Sequence, residues 1–438
     1  MSGIDFASRI SYEPYHIYYD LNILNNDTTG TQRPPFLQFT EIRNSPYLNN
    51  PSDYFCSVVR FSVETPTLPI LIPQVKLGGT TSGSENDLIY SCTFSHPTLA
   101  DPVANPLLQQ YVQFIPQSSL ALFPPPSASA ATPISASALF NEYYYTFTYK
   151  PFIDMINNAL RAAWGTLIAL PAVVTALALA APAYTVNNAP YLYWDEDKNI
   201  ATWSLPQELF ETPSGNNPTP TLLAALGGVP FQIYFNAPLF NLFSSFQAFQ
   251  NGYGANGGGV VPTTAGRNWR LLFPNTVSPN PYLINTTSGA SSVLQLYYSH
   301  SNLRVSQEYP TTALWNPVQS IVFTTSLLPI APSIVSAPVL FGAGLNFTTS
   351  GNNSGIANIL TDLEVPLEKG WQYKPSINYV PTAEYRLFDL NGNAPLSAIE
   401  ISVNWKDTFG TVHQFRLASG ANASLKLMFR RKDFQGVL

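Results

Sequence analysis

Five long stretches of this 438-residue chain contain no charged side chain: 102–141, 162–194, 212–266, 271–303 and 309–361. Charged residues are only 11% of the sequence, 20 Lys and Arg against 26 Asp and Glu, where an ordinary soluble domain carries about 25%. The apolar share is ordinary at 45%, so Asn, Gln, Ser, Thr, Gly and Pro stand where charge would be. A free monomer intersperses both signs over its surface. Interface cores are depleted in Lys, Glu and Asp and enriched in aromatics. The neutral stretches therefore point to surface that other subunits cover, against the competing reading of an extracellular protein with a polar, uncharged coat. The same numbers exclude three classes. Disorder needs low hydrophobicity and high net charge; long helices need Ala, Glu, Lys and Leu; and coating nucleic acid by charge does not suit a net of −6,.

The 39 prolines cut the chain into short elements. Length gives a prior of two to three domains, and two β-rich parts, 1–215 and 216–438, are expected, joined at the breaker-rich run 214–220. Val59, Phe61 and Val63 alternate with polar residues, the period of a half-buried strand. Further strands are expected at 88–94, 110–115, 143–149, 231–235, 269–273, 293–298, 320–325 and 336–341. Residues 191–194 and 200–205 form a hairpin around the turn Asp195-Glu196-Asp197-Lys198,. Prolines 66, 69 and 73 mark 67–72 as an edge strand or a covered extended arm,. Ile399, Ile401, Val403 and Trp405, then 412–417, then Leu425, Leu427 and Phe429, read as a three-stranded antiparallel meander,. One helix is expected near 151–164, with Pro151 in its first turn. Many short strands, one or two short helices and frequent turns predict an all-β fold of jelly-roll or β-sandwich domains.

The Ala-rich apolar segment 166–183 is nearly long enough for a bilayer, but Pro171 and Pro182 interrupt it and Arg161 is its only basic flank. A buried or partner-facing segment is favoured over a membrane span. The N-terminus lacks a basic region and an apolar core, so no secretory signal is expected, and the sequons at Asn26, Asn285, Asn346, Asn352 and Asn422 carry little weight. Cys56 and Cys92 read as buried thiols, with a bridge between them left open.

Motifs that carry chemistry are weak. Gly252, Gly254 and Gly257 match the dinucleotide-binding spacing, but Gly258, Gly259, Val260, Val261 and Pro262 follow where a helix should start,. Cys92 and His96 are a lone pair four residues apart, short of a metal site. Asp195, Glu196 and Asp197 suit a solvated turn better than acid/base work. Arg430-Arg431-Lys432 is the one basic cluster, a phosphate or carboxylate contact or a charged strand end. The tyrosine runs 15–19 and 143–145 suit core or interface packing, or a sugar platform. No catalytic, cofactor or metal residue is assigned.

Several stretches carry a resemblance: 381–387 (PTAEYRL), 395–396, 403–407 (VNWKD), 425–429 (LKLMF), 57–74 and 315–323 (WNPVQSIVF). Together they resemble the minor-capsid or penton-type virion proteins of small eukaryotic double-stranded DNA viruses, the polinton-like virus and adintovirus group; the Ala-rich run does not fit that pattern. The resemblance implies jelly-roll sandwiches, a location in the virion, no enzymatic activity, no cofactor, and partners that are further copies and other capsid proteins. Direct nucleic-acid coating and membrane contact are not expected. The expected function is a capsid subunit acting by self-assembly; the alternative is a glycan-binding adhesin or attachment spike. The Pro-rich arms and the 143–149 strand are the expected contacts, and the neutral stretches, rather than the charged C-terminal meander, should hold most of them.

Overall fold

The computed structural model describes residues 14–27, 29, 33–117, 123–135, 141–178, 183–210, 224–250, 268–273, 283–284, 302–335, 340–342, 345–347, 355–365, 367–368, 372–373, 376–380, 386–408 and 410–433. By packing, the chain divides into unit 1, Met1–Leu68 with Pro317–Leu438, and unit 2, Pro69–Asn316. The chain opens in unit 1 with β1 (His16–Leu24), β2 (Gln38–Ile42) and β3 (Tyr54–Glu64). Unit 2 follows: β4 (Asp87–Ser95), β5 (Gln109–Gln113), α1 (Tyr149–Ala169), α2 (Pro171–Leu177), β6 (Tyr191–Asp195), β7 (Ile200–Pro206) and α3 (Gln207–Phe210). It continues with β8 (Gln232–Asn236), α4 (Ala237–Leu242), β9 (Ala248–Gln250), β10 (Asn268–Leu271), β11 (Leu283–Ile284) and β12 (Asn302–Ser306). The return to unit 1 gives β13 (Val318–Thr324), β14 (Ser333–Val335), β15 (Leu340–Gly342), β16 (Leu345–Phe347), β17 (Gly355–Ala357) and β18 (Ile359–Glu364). It ends with β19 (Leu367–Glu368), β20 (Gln372–Tyr373), β21 (Ser376–Tyr379), β22 (Phe388–Asp389), β23 (Ala398–Asp407), β24 (Val412–Gln414) and β25 (Asn422–Arg431).

Unit 1 is a sandwich of two antiparallel sheets, β1-β25-β3-β21 and β18-β13-β23-β2, with β22 pairing β3 and β24 pairing β23. Strands adjacent along the chain mostly alternate between the sheets, and the last strand, β25, lies between the first and third. That is jelly-roll wiring, with unit 2 inserted between its third strand, β3, and its fourth, β13. The inward rows are apolar: Phe61 on β3, Leu425, Leu427 and Phe429 on β25, and Ile399, Ile401, Val403 and Trp405 on β23, all 2% exposed or less. Phe61 meets Phe323 of β13 edge-on, ring centroids 4.8 Å apart. Each such ring contributes about 3–5 kcal/mol against truncation to alanine.

Unit 2 holds sheets β5-β4-β8-β10-β9 and β11-β12-β7-β6, with α1 packed on β4, β5 and β6. Its interior is aromatic. Trp315 sits among Tyr149, Phe152, Trp194 and Phe243 and donates its indole N–H to the Leu242 carbonyl at 2.7 Å. Trp164 on α1 meets Phe94 and Phe210 and donates to the Thr185 carbonyl at 2.9 Å. Buried indoles need such partners.

Five sequence expectations meet a different structure or fall outside it. The junction expected at 215/216 lies in 211–223, outside the described residues, and the packing divides the chain instead at 68/69 and 316/317. Breakers mark loops; strand pairing sets units, and here strands from both ends of the chain share one core. The run 143–149 is not a strand. It is a 3-10 turn, Glu142–Tyr144, capped by the Asn141 side chain, a bridge from Thr146 to Leu71, and the start of α1. The meander divides: β23 and β24 pair, but β25 crosses to the other sheet between β1 and β3. The turn before it holds Gly420 at φ 77°, with its N–H on the Asn25 carbonyl, which sends the chain across. Alternation sets which face is buried and is silent on which neighbour pairs. The strand at 293–298 and the glycine motif at 252–257 lie outside the described residues.

The helical spacing around 151–164 falls within α1, whose face of Phe152, Ile156, Leu160, Ala163, Trp164 and Leu167 is 0% exposed. The chain bends by 84° at Leu170, where Pro171 opens α2. Among the described residues no single helix is long and apolar enough to cross a membrane.

Candidate assembly surface

Just over half of the exposed apolar side chains fall in the uncharged stretches. Among the described residues eighteen large apolar side chains are exposed, and ten lie in the neutral stretches. They are Val103, Leu107 and Ile115 near β5; Val174, Val186 and Tyr191 around α2 and β6; Phe249 on β9; and Tyr309, Leu314 and Leu327. The β23–β25 region itself contributes only Val412, although Tyr18 and Leu24 on β1 and Ile42 on β2, the strands that pair with β25 and β23, are exposed as well. Leu107 is 67% and Val103 65% exposed, on the turn leading into β5. Burying one such side chain in a partner is worth about 1.5–3 kcal/mol; the Val103 N–H donates to the Asp101 carboxylate at 2.9 Å, at the border of the uncharged stretch.

The charged side chains form a different surface. On the outer face of the β1–β25–β3 sheet, Asp20 accepts from Arg60 at 2.9 Å and lies 3.4 Å from Lys426. Asn422 donates to Glu64 at 2.9 Å and Ser62 to Asn378 at 2.6 Å. This is a solvated face whose polar groups are satisfied by one another. The basic cluster closes β25 with partners of its own: Arg431 pairs with Asp433 at 2.6 Å and Lys432 with Asp389 at 2.9 Å, and both cations lie over aromatic rings, Tyr15 and Phe55.

Sheet edges are handled unequally. The free edge of β6 is sealed by one side chain of α1: Asn157 donates to the Leu192 carbonyl and accepts from the Leu192 N–H, both at 2.8 Å. Inside the other sheet of unit 2, Asn236 at the end of β8 donates to the Ile89 carbonyl of β4 at 2.6 Å and accepts from the Ser91 N–H at 3.0 Å. It bridges the point where the β4–β5 register shifts. Nothing in the sequence singled out Asn157 or Asn236, because an Asn reads alike in a cap, a turn or an edge seal.

The other sequence candidates resolve into structural roles. Tyr143, Tyr144 and Tyr145 are buried; Tyr144 donates to the Glu85 carbonyl at 2.6 Å and Tyr143 to the Asn86 side chain at 2.8 Å. They hold unit 2 together internally, so the expected contact strand is core. The 67–72 arm is covered: Leu68, Ile70 and Leu71 are buried. Asp195 accepts from the N–H groups of Asp197 and Lys198, both at 3.1 Å, and Asn199 takes φ 53°, a hairpin tip. Cys56 and Cys92 are free and buried, one in each unit, and burial pushes each thiol up to about 12. His96 is 1% exposed. Its Nδ1 accepts from the Thr98 and Leu99 N–H groups at 3.3 and 3.2 Å, so Nε2 carries the proton and donates to the Val229 carbonyl at 2.9 Å. Burial holds its pKa below the usual value, against the raising effect of its carbonyl partners. Among the described residues no group of three His, Cys, Asp or Glu could hold a metal ion.

One buried carboxylate organises unit 1. Glu400 on β23 is 6% exposed. It accepts from Gln38 of β2 at 2.9 Å, from Ser402 at 2.6 Å, and from both the N–H and the hydroxyl of Ser326 at 2.7 Å. Burial raises its pKa, but the bonds from Ser402, Ser326 and Gln38 outweigh burial and hold it below the usual carboxylate value.

The model of the family described as Sputnik minor capsid protein V18/19 matches residues 17–431. Structural protein V19 of Sputnik virophage is 29% identical over 212 residues, 48% of this chain and 85% of the relative. Uncharacterized protein V18 of the same virophage is 33% identical over 157 residues, 36% of this chain and 87% of the relative. The cryo-EM structure of the Sputnik virophage contains a chain that superposes with TM-score 0.70 at 26% identity, over 97% of this chain and all of that one. The mavirus penton protein shares the fold, with TM-score 0.53 at 14% identity, over 95% of this chain and 99% of that one. A match that spans both units, and relatives that are parts of a virion, place the chain in the Sputnik minor capsid protein V18/19 family, as a structural subunit of a viral capsid rather than an enzyme.

Proposed function

We propose that the chain self-assembles, and joins other capsid proteins, by burying its uncharged apolar surface. The observation that carries this reading is the coincidence of exposure with neutrality: Val103, Leu107, Ile115, Val174, Val186 and Tyr309 are exposed in stretches without charge. Burial there excludes water without stranding an ion. The charge-laced outer face of the β1–β25–β3 sheet then stays in solvent. The net charge of −6 and the internal pairing of Arg431 and Lys432 support a role without nucleic-acid coating. The burial of the α1 face supports packing rather than membrane contact for the apolar segment.

The adhesin reading requires aromatic platforms open to a sugar. Of the two tyrosine runs suited to that role, Tyr143–Tyr145 are core, while Tyr15 and Tyr18 of the 15–19 run are 53% and 56% exposed. Mass photometry across a concentration series, with electron microscopy of the products, tests the proposal. Discrete oligomers or shells are expected. A chain that stays monomeric at every concentration, and in mixtures with the other capsid proteins, would overturn it, and specific glycan capture by that monomer would favour the adhesin.

A further inference from the structure

On the outer face of the β12-β7-β6 part of its sheet in unit 2, the middle strand carries small side chains. Tyr191, Ser204 and Arg304 lie side by side across the three strands, and Tyr193, Thr202 and Ser306 form the next row. Leu192, Trp203 and Leu205, at the alternate positions, are buried on the opposite face. Thr202 and Ser204 are each 2% exposed, and the Thr202 and Ser306 hydroxyls bond each other at 2.9 Å. Two strand spacings, about 9.6 Å, separate β12 from β6. Over that low floor the Arg304 guanidinium reaches the Tyr193 ring, 5.6 Å from its centroid. Tyr191, on the same face, is 39% exposed. A guanidinium held over a ring keeps its N–H fork for a planar anion, and among the described residues Arg304 makes no hydrogen bond or ion pair. Tyrosine and arginine together are the side chains that anchor protein interfaces.

Tyr191 belongs to the uncharged stretch 162–194, and an interface that covers it also takes Arg304 out of water. A cation buried without a partner is costly, so the covering surface has to bring a carboxylate. The turn of the same sheet carries two that are unspent. Asp195 accepts from the N–H groups of Asp197 and Lys198 and lies 3.5 Å from the Lys198 ammonium. Glu196 and Asp197 beside it are exposed, and among the described residues their carboxylates meet neither a cation nor a donor. Asp154 on α1 is exposed as well, but Lys150 stands one helical turn before it and answers its charge. We propose that the β6–β7 tip of one copy docks on the Tyr191–Tyr193–Arg304 face of a second copy, with the Glu196 and Asp197 carboxylates on the Arg304 guanidinium. Tip and face are different patches, so the contact is head-to-tail and joins copies in a ring or a row. This rests on the self-assembly reading above.

The test is sedimentation velocity of full-length R304E, of E196R/D197R and of the combined R304E/E196R/D197R, each checked for folding by urea unfolding. The tip is an exposed turn, so E196R/D197R keeps the test readable should R304E fail to fold. Either change alone sets like charges against each other and should weaken association by at least about tenfold; the combined change reverses both sides and should restore it. Folded single variants that assemble like the parent chain would overturn the docking while leaving self-assembly standing. Loss in both single variants without recovery in the combined one would overturn the tip as the source of the anion and assign it to another capsid protein. A parent chain that stays monomeric at every concentration would overturn this contact and self-assembly alike.

Discussion

Asn157→Ala should open the β6 edge. In the native chain this side chain forms two hydrogen bonds to one peptide, donating to the Leu192 carbonyl and accepting from its N–H, both at 2.8 Å and part-buried. A typical intramolecular hydrogen bond contributes about 0.5–1.5 kcal/mol net, and a buried group left unpaired costs about 1–3 kcal/mol. Alanine removes both bonds at once, and α1 packed over β6 limits the water that could replace them. The expected loss is about 2–4 kcal/mol. Asn157→Asp keeps the acceptor, loses the donor and sets a carboxylate against the Leu192 carbonyl, so it should cost at least as much. The assay is urea unfolding of each variant, together with hydrogen exchange of peptides covering 191–195. Protection of the Leu192 amide should fall in Asn157→Ala while the β8 amides keep theirs, and the variant should aggregate sooner, because an exposed strand edge templates pairing. A loss below about 0.5 kcal/mol, with unchanged exchange at Leu192, would show that the seal is incidental.

Phe61→Ala, which empties the edge-on contact with Phe323, should destabilise unit 1 by about 3–5 kcal/mol in urea unfolding. Glu400 is held below the ordinary carboxylate pKa in the fold, so its stabilisation is full above the unfolded value and fades as pH falls through the lower folded one; Glu400→Gln should weaken the protein near neutral pH and flatten its acid-stability curve. His96 is also held below its ordinary value and is neutral in the fold. Stability should therefore be full above the unfolded imidazole pKa and decline as pH drops below it, and His96→Gln should remove that part of the pH dependence. Cys56 and Cys92, with thiols pushed up to about 12 and fully buried, should resist N-ethylmaleimide in the native state and react together with unfolding.

The sequence was most legible where one strand carries its own pattern. Phe61 and Val63 on β3, the β6–β7 hairpin with its Asp195 turn, and the helical face from Phe152 to Ala163 follow from period and capping alone. Pairing partners were not legible, because alternation leaves the neighbour unspecified. Thus Leu425–Phe429 read as the third strand of a local meander, while the core needed β25 between β1 and β3. The insertion of Pro69–Asn316 between β3 and β13 leaves no local mark either, since both crossings look like ordinary Pro-rich loops. Tyr143–Tyr145 misled because aromatic density signals burial in a core and burial in an interface equally.

The most direct test places a charge on that surface. Leu107→Glu and Val174→Lys put single ions at exposed positions of stretches that carry no charge in sequence, and Asn22→Lys, on the charge-laced outer face of unit 1, is the control. Sedimentation velocity of the three variants against the parent chain, with urea unfolding to verify that each is folded, decides the matter. If uncharged surface drives assembly, Leu107→Glu and Val174→Lys will shift the distribution to the monomer while Asn22→Lys leaves it closer to that of the parent chain. Folded Leu107→Glu and Val174→Lys that assemble like the parent chain would contradict it.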